Sequence, residues 1–118
     1  MPDPQPVLVV ISADPRTTGR ACEAMRIALG IVSGENEVTV VLTGPAIHLL
    51  DGDTDDLVDG DDIAKFRDNL KRLEVPFHVE ETAIPTDPDW NESGHPIVPV
   101  SRQTIGALLR QGRRFIVF

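Results

Sequence analysis

VLVVISADPRTTGRACEAMRIALGIVSGENEVTVVLTGP, residues 7–45, decides the fold. Val7-Leu8-Val9-Val10-Ile11 is an unbroken aliphatic and β-branched run, the mark of a strand buried on both faces, and it reads as the central strand. The turn-rich segment Ser12–Gly19 leads into a helix predicted over about Thr18–Ser33, with Gly34 as its stop. Glu37–Thr43 is then a second strand, closed by Gly44-Pro45. Strand, helix and strand in this order form a βαβ unit, whose crossover is right-handed and whose strands pair in parallel.

On the first helix only Arg20, Glu23 and Arg26 make a polar row, a wider apolar surface than one sheet face covers. A second cover is therefore expected, from another element or another subunit. Downstream lie an apolar turn, Ala46–Leu50, and an acidic stretch, Asp51–Asp62. A helix is predicted over about Asp62–Leu73, where Ile63, Phe66, Leu70 and Leu73 recur at steps of three and four. Pro76–Ala83 reads as a third strand, expected nearer an edge because Phe77 and Val79 alternate with His78 and Glu80. Residues 84–100 hold Pro85, Pro88, Pro96 and Pro99 and read as one long loop. Ser101 is expected to cap a last helix ended by Gly112, and Arg114–Phe118 to close the chain as a strand.

At 118 residues there is room for one core, so residues 1–118 are read as one α/β domain. The reading is a three-layer, flavodoxin-like sandwich on a mostly parallel sheet of four to five strands, with residues 1–6 as a flexible start. A net charge of −8 argues against a nucleic-acid partner. No apolar run of about 20 residues crosses a membrane and no basic signal region precedes the first strand, so a cytoplasmic protein is expected. Cys22, the lone cysteine, excludes an internal disulfide.

Val7–Ile11, Asp14-Pro15, Arg20–Leu29, Gly34–Leu42 and Gly44–Leu50 together resemble the DsrE/DsrF/TusD-like family, which includes YchN-type proteins. The resemblance implies a parallel α/β fold, trimers or hexamers, and in the best-known members a sulfur relay. That relay uses a cysteine in the region after the third strand. Here the region reads Glu80-Glu81-Thr82-Ala83-Ile84, and neither Thr nor Glu replaces a carrier thiolate. The expected role is thus a non-catalytic, ligand- or partner-binding subunit of an oligomer, leaning away from an enzyme. The alternatives are a thiol protein using Cys22 and a structural subunit of a hetero-oligomer with a paralogous partner.

Several constellations carry candidate chemistry. Cys22 sits among apolar helical neighbours and reads as a small buried hydrophobe, although its closeness to a helix N-terminus keeps a reactive thiol open. Asp51, Asp53, Asp55, Asp59 and Asp62 approach a calcium-loop spacing, but Asp56 stands where the sharp turn needs glycine. A solvated acidic loop is the simpler account, and no metal or cofactor is expected. The candidate ligand-binding set is Ser12, Arg16, Thr17, Thr18, Gly19, Gly44, Thr82, Trp90 and His95. Loops after parallel strands converge at the carboxyl edge of the sheet, and Arg16, Thr17 and Thr18 beside a helix N-terminus favour an anion. His48 and His78 read as structural.

Overall fold

The computed structural model describes residues 6–111 and 114–118. Most of the predicted flexible start, and the stop predicted at Gly112, lie outside these residues. Five strands form one all-parallel sheet: β1 (Val7–Ile11), β2 (Val38–Leu42), β3 (Phe77–Glu80), β4 (Ile97–Val100) and β5 (Arg114–Val117). Their order across the sheet is β4-β3-β2-β1-β5. Helices α1 (Arg20–Ser33), α2 (Gly60–Arg72) and α3 (Arg102–Arg110) complete the chain, with a 3-10 helix at Gly44–Leu50.

Register sorts the side chains onto two faces. Val9, Val40 and Phe77 lie side by side, as do Ile11, Leu42 and Val79, and these rows pack with α1 and α2 into the larger core. Leu8, Val10, Val41 and Val100 face the other way and meet Ile105 of α3. The result is the expected three-layer sandwich. The broad apolar surface of α1 finds its second cover within the chain, because α2 packs along it and Leu29, Ile31, Val32 and Phe66 join the same core.

Two strand assignments are corrected. β1 is an inner strand between β2 and β5, but the middle of the sheet is β2. A continuous apolar run requires burial on both faces, which any inner strand provides. The second correction concerns residues 84–100, whose last four residues form the edge strand β4. Proline lacks a ladder donor and is tolerated at an edge, so Pro99 fits where an inner strand would reject it. β3 accordingly lies one place in from the edge and ends at Glu80, followed by a 3-10 turn at Glu81–Ala83.

The ends of the helices follow local chemistry. Ser101 caps α3 by accepting from the Thr104 amide at 3.1 Å. α1 begins at Arg20, two residues later than expected, with Thr18 Oγ1 accepting from the Arg20 amide at 3.3 Å. α2 opens at Gly60, with Asp59 at φ 58° before it.

Candidate functional site

Parallel strands deliver their carboxyl ends to one edge, and a crevice opens where neighbouring connections leave on opposite faces. Here the connection after β3 packs with the α1/α2 core through Ile84 and Trp90, whereas α3 follows β4 on the other face. At this place a groove of about 330 Å³ is lined by Ser12, Thr43, Gly44, Pro45, Glu80, Arg102 and Ile105.

Glu80 organises the groove. It ends β3 on the α3 face and is only 7% exposed. One carboxylate oxygen, Oε1, accepts from Arg102 Nε at 3.0 Å and from the Thr82 hydroxyl at 3.3 Å. The other, Oε2, accepts from the Gly44 amide at 3.2 Å. Arg102 holds the carboxyl below its usual range, helped by the Gly44 and Thr82 donors against the cost of burial. Gly44 has φ +52°, a left-handed conformation that suits glycine and turns its amide to Glu80. Arg102 is 86% exposed at its side chain, and among the described residues only Glu80 binds it. Its two Nη groups are therefore open to an acceptor, beside the Ser12 and Thr43 hydroxyls and the apolar Pro45 and Ile105.

The structure brings only part of the expected set together. Ser12 and Gly44 line the groove and Thr82 braces Glu80. Arg16 is instead folded onto Asp14 in a bidentate pair at 3.0 Å, and the Thr17 hydroxyl donates to the Asp14 carbonyl. Gly19 lies against the Asp59 carboxylate, which would stand 3.0 Å from a Cβ at that position. A carboxylate of the chain thus already occupies the neighbourhood where Thr17, Thr18 and the start of α1 were expected to hold an anion. Trp90 packs over the 3-10 helix, its indole donating to the Ile47 carbonyl at 2.9 Å, and lines a separate 210 Å³ cleft with His48, Asp51 and Asp87.

His95 is at the opposite edge of the sheet. Its ring stacks on Phe77, with centroids 4.1 Å apart, and Nε2 donates to the Val75 carbonyl at 2.9 Å. Nδ1 is buried with no partner among the described residues, which disfavours the charged, doubly protonated ring. Burial lowers its pKa, opposed by the Val75 hydrogen bond and reinforced by the charges of Arg67 and Lys71. The unfolded chain, with a histidine near 6.5, then binds the extra proton first. Stability is full above about pH 6.5 and declines as the pH falls through the lowered folded value. Urea midpoints are expected to drop between pH 7.5 and 5.5, and His95→Phe to flatten that slope while keeping the stack. An unchanged slope in the variant would count against this assignment.

Sequence reasoning missed Glu80 and Arg102. Glu80 alternates with the apolar Phe77 and Val79, which marks only a less buried strand near an edge, and without β4 nothing carries the start of α3 to the carboxyl edge. A strand ending in an acid, followed across the sheet by a helix opening in Arg, was the signal available.

The lone thiol is elsewhere. Cys22 is 6% exposed in the α1/α2 core. Burial, then the nearby carboxylates of Asp59, Asp62 and Glu23, push its pKa up to about 11. Native Cys22 is expected to react with a thiol reagent about a hundredfold more slowly than in denaturant, in line with its small thiolate fraction. Equal rates would overturn this reading. In the acidic stretch, Asp51 turns to His48 Nδ1 and Asp53 accepts from the Asp55 amide. Among the described residues no group of three His, Cys, Asp or Glu side chains is arranged to hold a metal ion.

No family model matches the sequence. No curated protein matches it either. Among solved structures, the YchN protein from E. coli superposes with a TM-score of 0.76 at 15% identity, covering 97% of this chain and 99% of that one. The fold is YchN-like. This agrees with the resemblance carried by residues 7–50, and the near-complete coverage of both chains extends it over all three layers. No helix of the described residues is long and apolar enough to cross a membrane.

Proposed function

We propose that this YchN-like chain is a non-catalytic binding subunit whose ligand is a small molecule bearing a carboxylate or phosphate on a short apolar body. The observation that carries the reading is the Glu80–Arg102 clasp in the carboxyl-edge groove. Glu80 has its lone pairs engaged by Arg102, Thr82 and Gly44, so it fixes the guanidinium in place. The free Nη groups then present a planar donor pair, the geometry that suits carboxylate or phosphate. A groove of about 330 Å³ fits the lower end of small-molecule sites. The region after the third strand supplies an acid where the relay proteins of the resembled family carry a thiol, and Cys22 is buried in the α1/α2 core. Both features favour binding over sulfur transfer.

The test is an amide NMR titration of the full chain with a panel of small carboxylates and organic phosphates. Shifts at Ser12, Thr43, Gly44 and Arg102 are expected, with Arg102→Ala weakening binding about tenfold or more and Tm falling only modestly, because Glu80 loses its guanidinium partner but keeps the Gly44 and Thr82 donors. Shifts confined to other residues, or full binding by the variant, would refute the proposal. Incubation with a persulfide donor is expected to leave Cys22 unmodified, and a stable Cys22 persulfide would restore the relay reading. The subunit is further proposed to self-associate, as a trimer or hexamer, in the cytoplasm. Native mass spectrometry checks this, a monomer at micromolar concentration being the contrary result.

A further inference from the structure

The two margins of the sheet are unlike. In β4, the Pro96 carbonyl accepts from the Phe77 amide, so alternation along the strand turns Pro99 outward, where it offers no N–H. That edge is blunted in a way natural sheets use against unwanted pairing. At the other margin, Phe118 donates to Val10 O and its carbonyl accepts from Ser12, so Phe115 and Val117 turn their N–H and C=O groups outward. β5 contains no proline, and Phe115, Ile116 and Val117 are 54%, 37% and 52% exposed, apolar on both faces of the strand.

Charge distinguishes this margin from the rest of an acidic molecule. Residues 103–118 contain Arg110, Arg113 and Arg114 and no Asp or Glu. Arg110 ends α3 and Arg114 opens β5, and Arg20 reaches over the Phe118 ring at 5.9 Å. Among the described residues, Arg20, Arg110 and Arg114 take part in no salt bridge. An open strand edge supplies main-chain hydrogen bonds to an incoming extended segment, and its side chains set the specificity. A second copy placed on β5 would bring the arginines of both chains along one margin, where like charges repel. An acidic segment would neutralise them.

We infer that the outer edge of β5 is a docking site for an extended, acidic segment of a partner protein, which adds to the sheet as a sixth strand beside Phe115–Val117. This surface is separate from the Glu80 groove and stands whether or not that groove binds a small molecule. The probe is a fluorescein-labelled heptapeptide, blocked at both ends, with glutamate at alternate positions and valine or threonine between. Its anisotropy is expected to rise saturably with the full chain at low salt and to weaken as salt is added. Val117→Pro, which removes one outward donor and leaves the β1 pairing intact, is expected to reduce affinity about tenfold. Combined Arg110→Glu and Arg114→Glu is expected to do the same, and the lysine-for-glutamate peptide not to bind. Hydrogen exchange on the unmodified chain gives a readout independent of any variant: the Phe115 and Val117 amides should slow when the peptide saturates. Unslowed amides, equal binding by Val117→Pro, or equal binding of the lysine peptide would overturn the inference. So would a wild-type dimer that Val117→Pro dissociates, since a second copy would then hold the edge, or tight binding of a poly-dT oligonucleotide that this substitution leaves intact.

Discussion

Phe77→Ala is expected to lower unfolding stability by about 3–5 kcal/mol, measured by urea denaturation at pH 7.5. Phe77 is fully buried in β3, with Val40 beside it in register and α2 packed over the same face. Removing the ring leaves a cavity in the larger core and takes away the surface on which His95 stacks. His95 would then keep its bond to the Val75 carbonyl with nothing against one ring face. Domain stabilities are commonly about 5–15 kcal/mol, so this one substitution removes a large share. Phe77→Leu, which refills most of the volume, should recover much of the loss. A cost near that of a surface substitution, about 0.5 kcal/mol, would show that the core is not packed as described.

The second large effect is expected at Gly60, where two rules oppose each other. Gly60 is the first residue of α2, and on helix propensity alone alanine should be better there by up to about 1 kcal/mol. A Cβ at Gly60, however, would lie 2.0 Å from the Thr54 carbonyl oxygen and 2.9 Å from its carbon. Backbone cannot swing aside as a side chain does, so the acidic loop and α2 must separate. Gly60→Ala is therefore expected to destabilise by about 2–3 kcal/mol, the range of overpacking strain. Gly30 is the control, since it lies within α1 and a Cβ there meets nothing within 4 Å. Gly30→Ala is expected to raise stability by about 0.5–1 kcal/mol. If both substitutions moved Tm upward, the close approach of Thr54 to Gly60 would be wrong.

The strands and helices whose patterning is set by their own neighbours were legible in the sequence. Val7–Ile11 and Val38–Leu42 announce buried parallel strands because both faces are covered, and Ile63 and Leu70 of α2 lie on a stripe that does enter the core. Leu73, read as part of that stripe, lies just past the helix and is 48% exposed. Ser101 announced its helix by cap chemistry. β4 was hidden because an edge strand of four residues needs little apolar pattern and tolerates Pro99. With β4 missing, the place of α3 at the carboxyl edge could not be inferred, and so neither could the meeting of Arg102 with Glu80. Arg16 and the two threonines differ for another reason: the Asp14 carboxylate takes Arg16, the Asp14 carbonyl takes the Thr17 hydroxyl and Thr18 Oγ1 takes the Arg20 amide, and a sequence does not show which local groups fold back on one another. The convergence of Ser12, Gly44 and the end of β3 was readable, since topology alone enforces it.

The pairing of β1 with β5 joins Val7 to Arg114, the first strand of the sheet to the last. On a ribosome adding about 5–20 residues each second, β1, β2 and β3 with α1 and α2 can assemble while the remaining residues are still being made. For those seconds the apolar run Val7–Ile11 borders solvent along one whole side, with the backbone donors and acceptors that face away from β2 unpaired. Closing so long a loop makes the final step slow relative to the local βαβ units, and the nascent chain is then most exposed to sticking to its neighbours. The last strand thus acts as a seal: the amino-terminal half is shielded only once the carboxyl-terminal residues have been delivered to it.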